Sequence, residues 1–224
     1  MKTLANNMKA ARREQAFTLV ELLTVISIIG VIAALVVAVL PAAKRKKDEA
    51  AVKAIHAKLV TQIEDYKKQF GTYPPDNAAV AANTPYWNPL AYELGGTRRS
   101  GVNFVSELDP THTVTTVGPA QVNSYFGLAG FVNASANATT RAKSFLGAVG
   151  GSGQNATYLY LTNGVPGMPA VMVLQVPAEH PSGGANVWRY RAYPVNGHNP
   201  KSFDLWAEYG KTGSGRTNIH GNWR

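Results

Sequence analysis

Few residues in this chain are placed to do chemistry, and the most conspicuous is a single carboxylate. From Phe17 to Leu40 the sequence runs for 24 residues with Glu21 as its only charge. A carboxylate inside an apolar span costs on the order of 3 kcal/mol even on mild insertion scales, so it needs a partner or a purpose. One reading leaves Glu21 near an interface, protonated or reaching to headgroups. The other begins with Lys2, Lys9, Arg12 and Arg13 just upstream. A cut between Ala16 and Phe17 would create an α-ammonium one helical turn from Glu21. In a helical array of subunits, one chain's ammonium would then pair with the next chain's carboxylate. At about 4 Å and an effective dielectric near 20, that attraction is worth about 4 kcal/mol before desolvation. Such a contact neutralises two buried charges and sets the axial register between subunits.

Other reactive types are scarce or badly spaced. The histidines, at 56, 112, 180, 198 and 220, show no ligand spacing, and there is no cysteine. Gly150-Gly151-Ser152-Gly153 lacks the lysine of a phosphate loop. Neither Gly151-Ser152-Gly153 nor Gly213-Ser214-Gly215 has the spacing of a nucleophile elbow. With thirteen acidic residues no carboxylate pair stands out. An enzyme is not expected. Asn133-Ala134-Ser135, Asn137-Ala138-Thr139 and Asn155-Ala156-Thr157 match the N-glycosylation triplet, a pattern expected by chance in a chain so rich in Asn and Thr.

The elements that must carry these residues read as follows. A 24-residue helix spans roughly 36 Å, enough to cross a bilayer core with some tilt. Residues 1–16 form a basic leader without an apolar run of its own. An ordinary secretory signal fits poorly, because its apolar region is about half this length, and Pro41-Ala42-Ala43 puts proline where a small residue is wanted. Lys44-Arg45-Lys46-Lys47 follows the span as a collar suited to headgroups rather than nucleic acid. Four basic residues flank each end, so charge does not set the orientation. Pro41 interrupts a continuous helical pattern, and a kink is expected there. Beyond it Val52, Ile55, Leu59, Ile63, Tyr66 and Phe70 form an apolar stripe at spacings of three and four. Gly71 and Pro74-Pro75 end the helix.

Residues 72–150 are the least patterned: a variable loop region with short helical turns expected at 87–94, 121–129 and 140–148. Strands follow at Thr157–Thr162, Ala170–Val176, Val187–Tyr193 and Ser202–Tyr209, joined by short connections into an antiparallel meander. In 187–193, Trp188 and Tyr190 alternate with Arg189 and Arg191. The apolar face of that sheet needs a cover, which the helical stripe supplies. The fold class is therefore α+β. A long N-terminal helix, half transmembrane and half amphipathic, packs on a C-terminal antiparallel sheet of about four strands. The divisions are 1–16 leader, 17–43 transmembrane helix, 44–71 amphipathic helix, 72–150 variable loops, and 151–224 sheet and C-terminal loop. Charged residues make up 16% of the chain, against about 25% in typical soluble domains, so Asn, Thr, Ser and Gly must keep the head in solution. The net charge of +9 becomes +6 if the leader leaves with its four basic residues and Glu14.

The run Ala16-Phe17-Thr18-Leu19-Val20-Glu21-Leu22-Leu23 resembles the processing and methylation signature of the type IV filament superfamily, the type IV pilins and type II secretion pseudopilins. The resemblance implies that a membrane-embedded prepilin peptidase cuts Ala16–Phe17, that Phe17 is N-methylated, and that Glu21 guides assembly. It also places the N-terminus in the cytoplasm and the head in the periplasm. The family prefers glycine before the cut, so Ala16 implies slower processing. Tyr73-Pro74-Pro75-Asp76 resembles the step by which pseudopilin helices hand over to the head.

A second resemblance covers roughly the last 25 residues. Asn199-Pro200-Lys201-Ser202-Phe203-Asp204-Leu205-Trp206 and Gly221-Asn222-Trp223 are similar to the end of the major pseudopilin, where a loop encloses calcium. Here the loop carries Lys211 and Arg216, and only Asp204 and Glu208 remain as weak metal candidates. Calcium wants six to eight oxygens, usually with several anionic ligands, so no cofactor is expected and calcium is disfavoured. Together the resemblances imply an inner-membrane, single-pass subunit of a type II secretion pseudopilus. Its implied partners are further copies of itself, the prepilin peptidase and methyltransferase, an assembly platform protein, minor pseudopilins and the membrane, with no nucleic acid. A surface pilin for adhesion or motility, or a membrane-anchored extracytoplasmic binding module, are the alternatives.

Overall fold

The computed structural model describes residues 18–77, 87–108, 116–137, 139–146, 159–161, 171–183, 186–211 and 215–223. The leader and Phe17 lie outside the described residues, as do His112, the turn at 150–153 and Asn155. The chain divides into two compact units, Met1–Lys44 and Arg45–Arg224. The fold is α+β, with a long apolar N-terminal helix and C-terminal antiparallel strands.

Helix α1 is Leu19–Phe70, and Pro41 lies inside it. Pro41 has no N–H to give the Val37 carbonyl. The helix ends where Gly71 takes a left-handed conformation (φ 79°) and donates its N–H to the Lys67 carbonyl at 2.8 Å. A side chain there would be strained, which is why glycine stops the helix cleanly.

The smaller unit holds the apolar run. Among the described residues one stretch is long and apolar enough to cross a membrane, and it lies in α1. With backbone groups satisfied internally, a helix is the form such a sequence takes in lipid. From Leu19 to Leu40 every large apolar side chain is exposed, Leu19 at 79% and Val37 at 72%.

In the larger unit the remainder of α1 supplies the expected stripe. Val52, Leu59, Ile63 and Tyr66 are buried, and Ile55 and Phe70 pack against the same core. His56 and Gln62 are buried on this side as well. The sheet supplies the opposing face. Strands β5 (Arg189–Ala192), β6 (Phe203–Lys211) and β7 (Thr217–Gly221) form one antiparallel sheet in that order. Alternation along β6 buries Phe203, Leu205, Ala207 and Tyr209. Trp188 and Tyr190 are fully buried on the same layer, while Arg189 and Arg191 alternate with them as expected.

Strands β3 (Leu159–Leu161) and β4 (Met172–Leu174) form a separate antiparallel pair. The expected meander is thus split into two small sheets. Its thread survives at an isolated bridge, Gln175↔Val187, where the Trp188 N–H donates to the Leu174 carbonyl at 2.9 Å. β7 lies in a stretch read as loop.

The middle of the chain is more ordered than its composition suggests. Helix α2 (Leu90–Gly95) and helix α3 (Pro119–Phe126) overlap two of the three expected turns, 87–94 and 121–129. Residues 140–146 of the third are not helical. An unexpected hairpin joins β1 (Thr97–Ser100) to β2 (Asn103–Ser106). Phe104 of β2 gathers with Tyr92, Phe126 and Phe131, the Tyr92 and Phe131 rings stacked 4.8 Å apart. Burying each of these rings contributes about 1.5–3 kcal/mol, which compensates for the short elements.

Candidate functional site

Glu21 sits at the very start of α1, and its geometry is local. Its Oε2 accepts the Thr18 N–H at 2.9 Å and the Thr18 hydroxyl at 2.8 Å. The Glu21 N–H donates back to Thr18 Oγ1 at 3.2 Å. This reciprocal box satisfies amides that the first turn of a helix otherwise leaves unpaired. Thr18 had not stood out as a site residue. The signal was present, since Thr-x-x-Glu immediately before an apolar run is a helix-start pattern. In the single chain, then, the acid is held by its own helix end, at the same end where a chain start at Phe17 would lie. Of the other expected residues of this region, Ala16 and Phe17 lie outside the described residues, and Pro41 is twenty positions further along α1. Small hydroxyls are absorbed by the backbone. Thr24 Oγ1 donates to the Glu21 carbonyl and Ser27 Oγ to the Leu23 carbonyl, both at 2.8 Å. Glu21 is therefore the one ionisable group of the exposed apolar run.

At the C-terminal end the two weak metal candidates serve different partners. Asp204 is buried, and its carboxylate accepts the N–H groups of His198 (2.8 Å) and Asn199 (3.0 Å) and the Asn199 side-chain amide (2.8 Å). It anchors the turn at 194–199. Gly197 is required there, because a Cβ would strike Asp204 Oδ2 and the Pro194 ring. Glu208 instead faces Arg189 at 3.4 Å and His180 at 4.0 Å. Burial and the neighbouring Arg189 charge lower the His180 pKa, so it adds little charge at neutral pH. Both carboxylates are thus engaged by protein donors, each in a different setting. Among the described residues no three His, Asp or Glu side chains come together around a common point.

The Gly-Asn-Trp ending has a physical role. The Asn222 side chain accepts the Leu205 N–H at 2.9 Å and donates to the Phe203 carbonyl at 2.7 Å, extending the sheet beside β6 with an amide. Trp223 then stacks on His198 at 4.0 Å and meets Trp206 edge-on. Nearby, His56 of α1 lies 3.1 Å from the Leu205 carbonyl, with His220 edge-on at 4.6 Å and Trp188 at 5.7 Å. Burial lowers the pKa of both imidazoles, and Lys53 lowers that of His220 further. These histidines weld α1 to the last two strands.

Glu93 was also invisible in the sequence. It is fully buried on α2, where it accepts the Tyr66 hydroxyl (2.8 Å) and the N–H groups of Val132 and Asn133 (2.9 Å each). Burial raises its pKa against those three donors. Its partners lie 27, 39 and 40 positions away, so no local pattern announces it.

Residues 11–37 match the family model of the prokaryotic N-terminal methylation motif. That match covers the helix start, Glu21 and most of the exposed apolar run, and it supports a type IV pilin-like protein. The motif implies processing by a prepilin peptidase and assembly into a filament, and its class is structural rather than enzymatic. The apolar helix suits membrane anchoring. No curated protein and no solved structure matches the chain.

Proposed function

We propose that this chain is a structural subunit of a type II secretion pseudopilus, cut at Ala16–Phe17, methylated on Phe17 and polymerised through α1 to support protein export. The observation that carries the reading is the exposed apolar run with its single acid. About twenty residues of helix find no cover among the described residues, and the one ionisable group among them sits at the end where a new ammonium would appear. The subunit waits in the inner membrane with its C-terminal unit in the periplasm. An assembly platform protein and minor pseudopilins then guide its extraction, and apolar helices of neighbouring copies replace lipid by packing on one another. Pro41, inside the helix but unable to complete its hydrogen bonding, is the softening point that lets the helix bend into that packing. No catalytic step belongs to the chain itself.

The absence of cysteine and the way Asn222 and Trp223 close the last sheet favour the pseudopilus over a surface pilin. The hydrogen bonds of Asp204 and Asn222 support a closure made by protein groups. The test is Glu21→Val in the native host. A filament subunit still inserts in the membrane but is no longer recovered in sheared filaments, and secretion stops. Unchanged polymer would overturn the reading, and unchanged secretion with lost polymer would favour the surface pilin.

A further inference from the structure

Asn133 and Asn137, which open two of the three glycosylation triplets, are both described and lie only four positions apart, and the fold treats them oppositely. Asn133 is buried, and its side-chain amide donates to the Glu93 and Lys143 carbonyls at 2.7 Å each, which engages both of its protons. The hydroxyl of its triplet, Ser135, donates to the Asn137 carbonyl and accepts the Arg99 N–H. Nothing in that triplet is open to an enzyme. Asn137 is exposed. Its Oδ1 accepts the Thr139 N–H (3.0 Å) and hydroxyl (2.8 Å) and the Thr140 N–H (2.9 Å) and hydroxyl (2.7 Å). Four donors on one oxygen fix the amide and draw electron density toward it, which makes the Nδ2 protons more acidic. The Nδ2 arm makes no hydrogen bond among the described residues. The hydroxyl of its own triplet is one of the four donors, so Thr139 does chemical work at this site that Ser135 does not do for Asn133.

We infer that Asn137 is an N-glycosylation acceptor that the folded larger unit presents, and that Asn133 is not. The donor is a sugar carried on a diphosphate. The bond from the anomeric carbon to the diphosphate oxygen breaks with its electron pair leaving on the diphosphate. The carbon–Nδ2 bond forms, and one Nδ2 proton passes to a base of the transferase. The carrier is either a membrane lipid or a soluble nucleotide. This assignment goes beyond the filament reading and holds whichever polymer the chain enters.

The experiment is peptide mass spectrometry on chain purified from native envelopes, beside Asn137→Gln, Thr139→Ala and Thr139→Ser variants. The peptide holding Asn137 is expected to carry a glycosyl mass in the wild type and in Thr139→Ser, and to lose it in the other two. Thr139 is exposed, and an unchanged melting temperature in its variants separates lost modification from lost folding. Incubating unmodified chain with membrane or soluble fractions of the host then distinguishes lipid-linked from nucleotide-linked donors. Unmodified Asn137 in native material, or a sugar on Asn133 of folded chain, would overturn the inference.

Discussion

Helix α1 contains two stretches of similar apolar residues with opposite fates. Between Leu19 and Leu40 the large side chains are all exposed, while Val52, Leu59, Ile63 and Tyr66 are almost completely buried. Composition does not explain this difference; periodicity does. The second stretch places its apolar residues on one face with Lys53, Lys58, Lys67 and Lys68 mostly off it, so a single sheet can cover it. The first is apolar all round, and no one-sided cover would be enough. A helix of that kind needs lipid or several other helices about it. The second stretch therefore builds the core of the larger unit, and the first is left for lipid or for other helices.

The comparison is broken most severely by truncating one large side chain packed beneath the buried stretch and one within the exposed stretch. Trp188→Ala opens a cavity beneath the buried stretch and should destabilise the larger unit by about 3–5 kcal/mol. Leu35→Ala, in the exposed stretch, should leave that unit's melting temperature in detergent unchanged. Equal effects would mean that the two stretches share one core.

Glu93→Ala comes next. It strands the Tyr66 hydroxyl and the Asn133 N–H in the core, at the lower end of about 1–3 kcal/mol each. The loss should appear as faster hydrogen exchange at 131–135 together with a lower melting temperature. Protection unchanged at 131–135 would show that the loop does not hang on this acid.

The pH dependence is smaller. Burial holds His56 and His220 below their ordinary value of 6.5. Their stabilising effect is therefore complete above that value and is lost as pH falls through it toward the folded-state values. Glu93 and Asp76, both raised by burial, act in the opposite sense and favour the folded state in acid. The histidine contribution is isolated by difference. Between pH 7.5 and 5.5 the melting temperature of His56→Gln should fall less than that of wild type. Parallel curves would remove the imidazole from the account.

Smallest is Thr18→Ala, which removes one side of the box with Glu21. A lost cap costs about 1 kcal/mol. Faster exchange at the amides of residues 19–22, with the larger unit unaffected, is the expected outcome.

What the sequence revealed followed from contact range. The stripe at 52–70 and the alternation at 187–193 are local repeats, and both elements appear where they were read. Gly71 marks its helix end for a similarly local reason. The β1–β2 hairpin did not declare itself, because Arg98-Arg99-Ser100 offers no alternation and the turn at Gly101 is its only punctuation. β7 escaped because Thr217-Asn218-Ile219-His220-Gly221 reads as loop, and pairing with β6 supplies its order. Glu93 depends wholly on distant partners. At the candidate site Glu21 is legible as an anomaly, and its bond to Thr18 is encoded by the local Thr-x-x-Glu spacing alone. Both Thr18 donors fall on Oε2, so in the proposed filament Oε1 is the oxygen that would meet a neighbour's ammonium.

The most direct measurement is a cryo-EM reconstruction of filaments purified from the native host, at a resolution that shows side chains in the helical core. The account predicts a chain beginning at methylated Phe17, with its amino group within salt-bridge distance of Glu21 from a neighbouring copy. A core in which every Glu21 stays capped on its own Thr18, far from any neighbour's chain start, would contradict it.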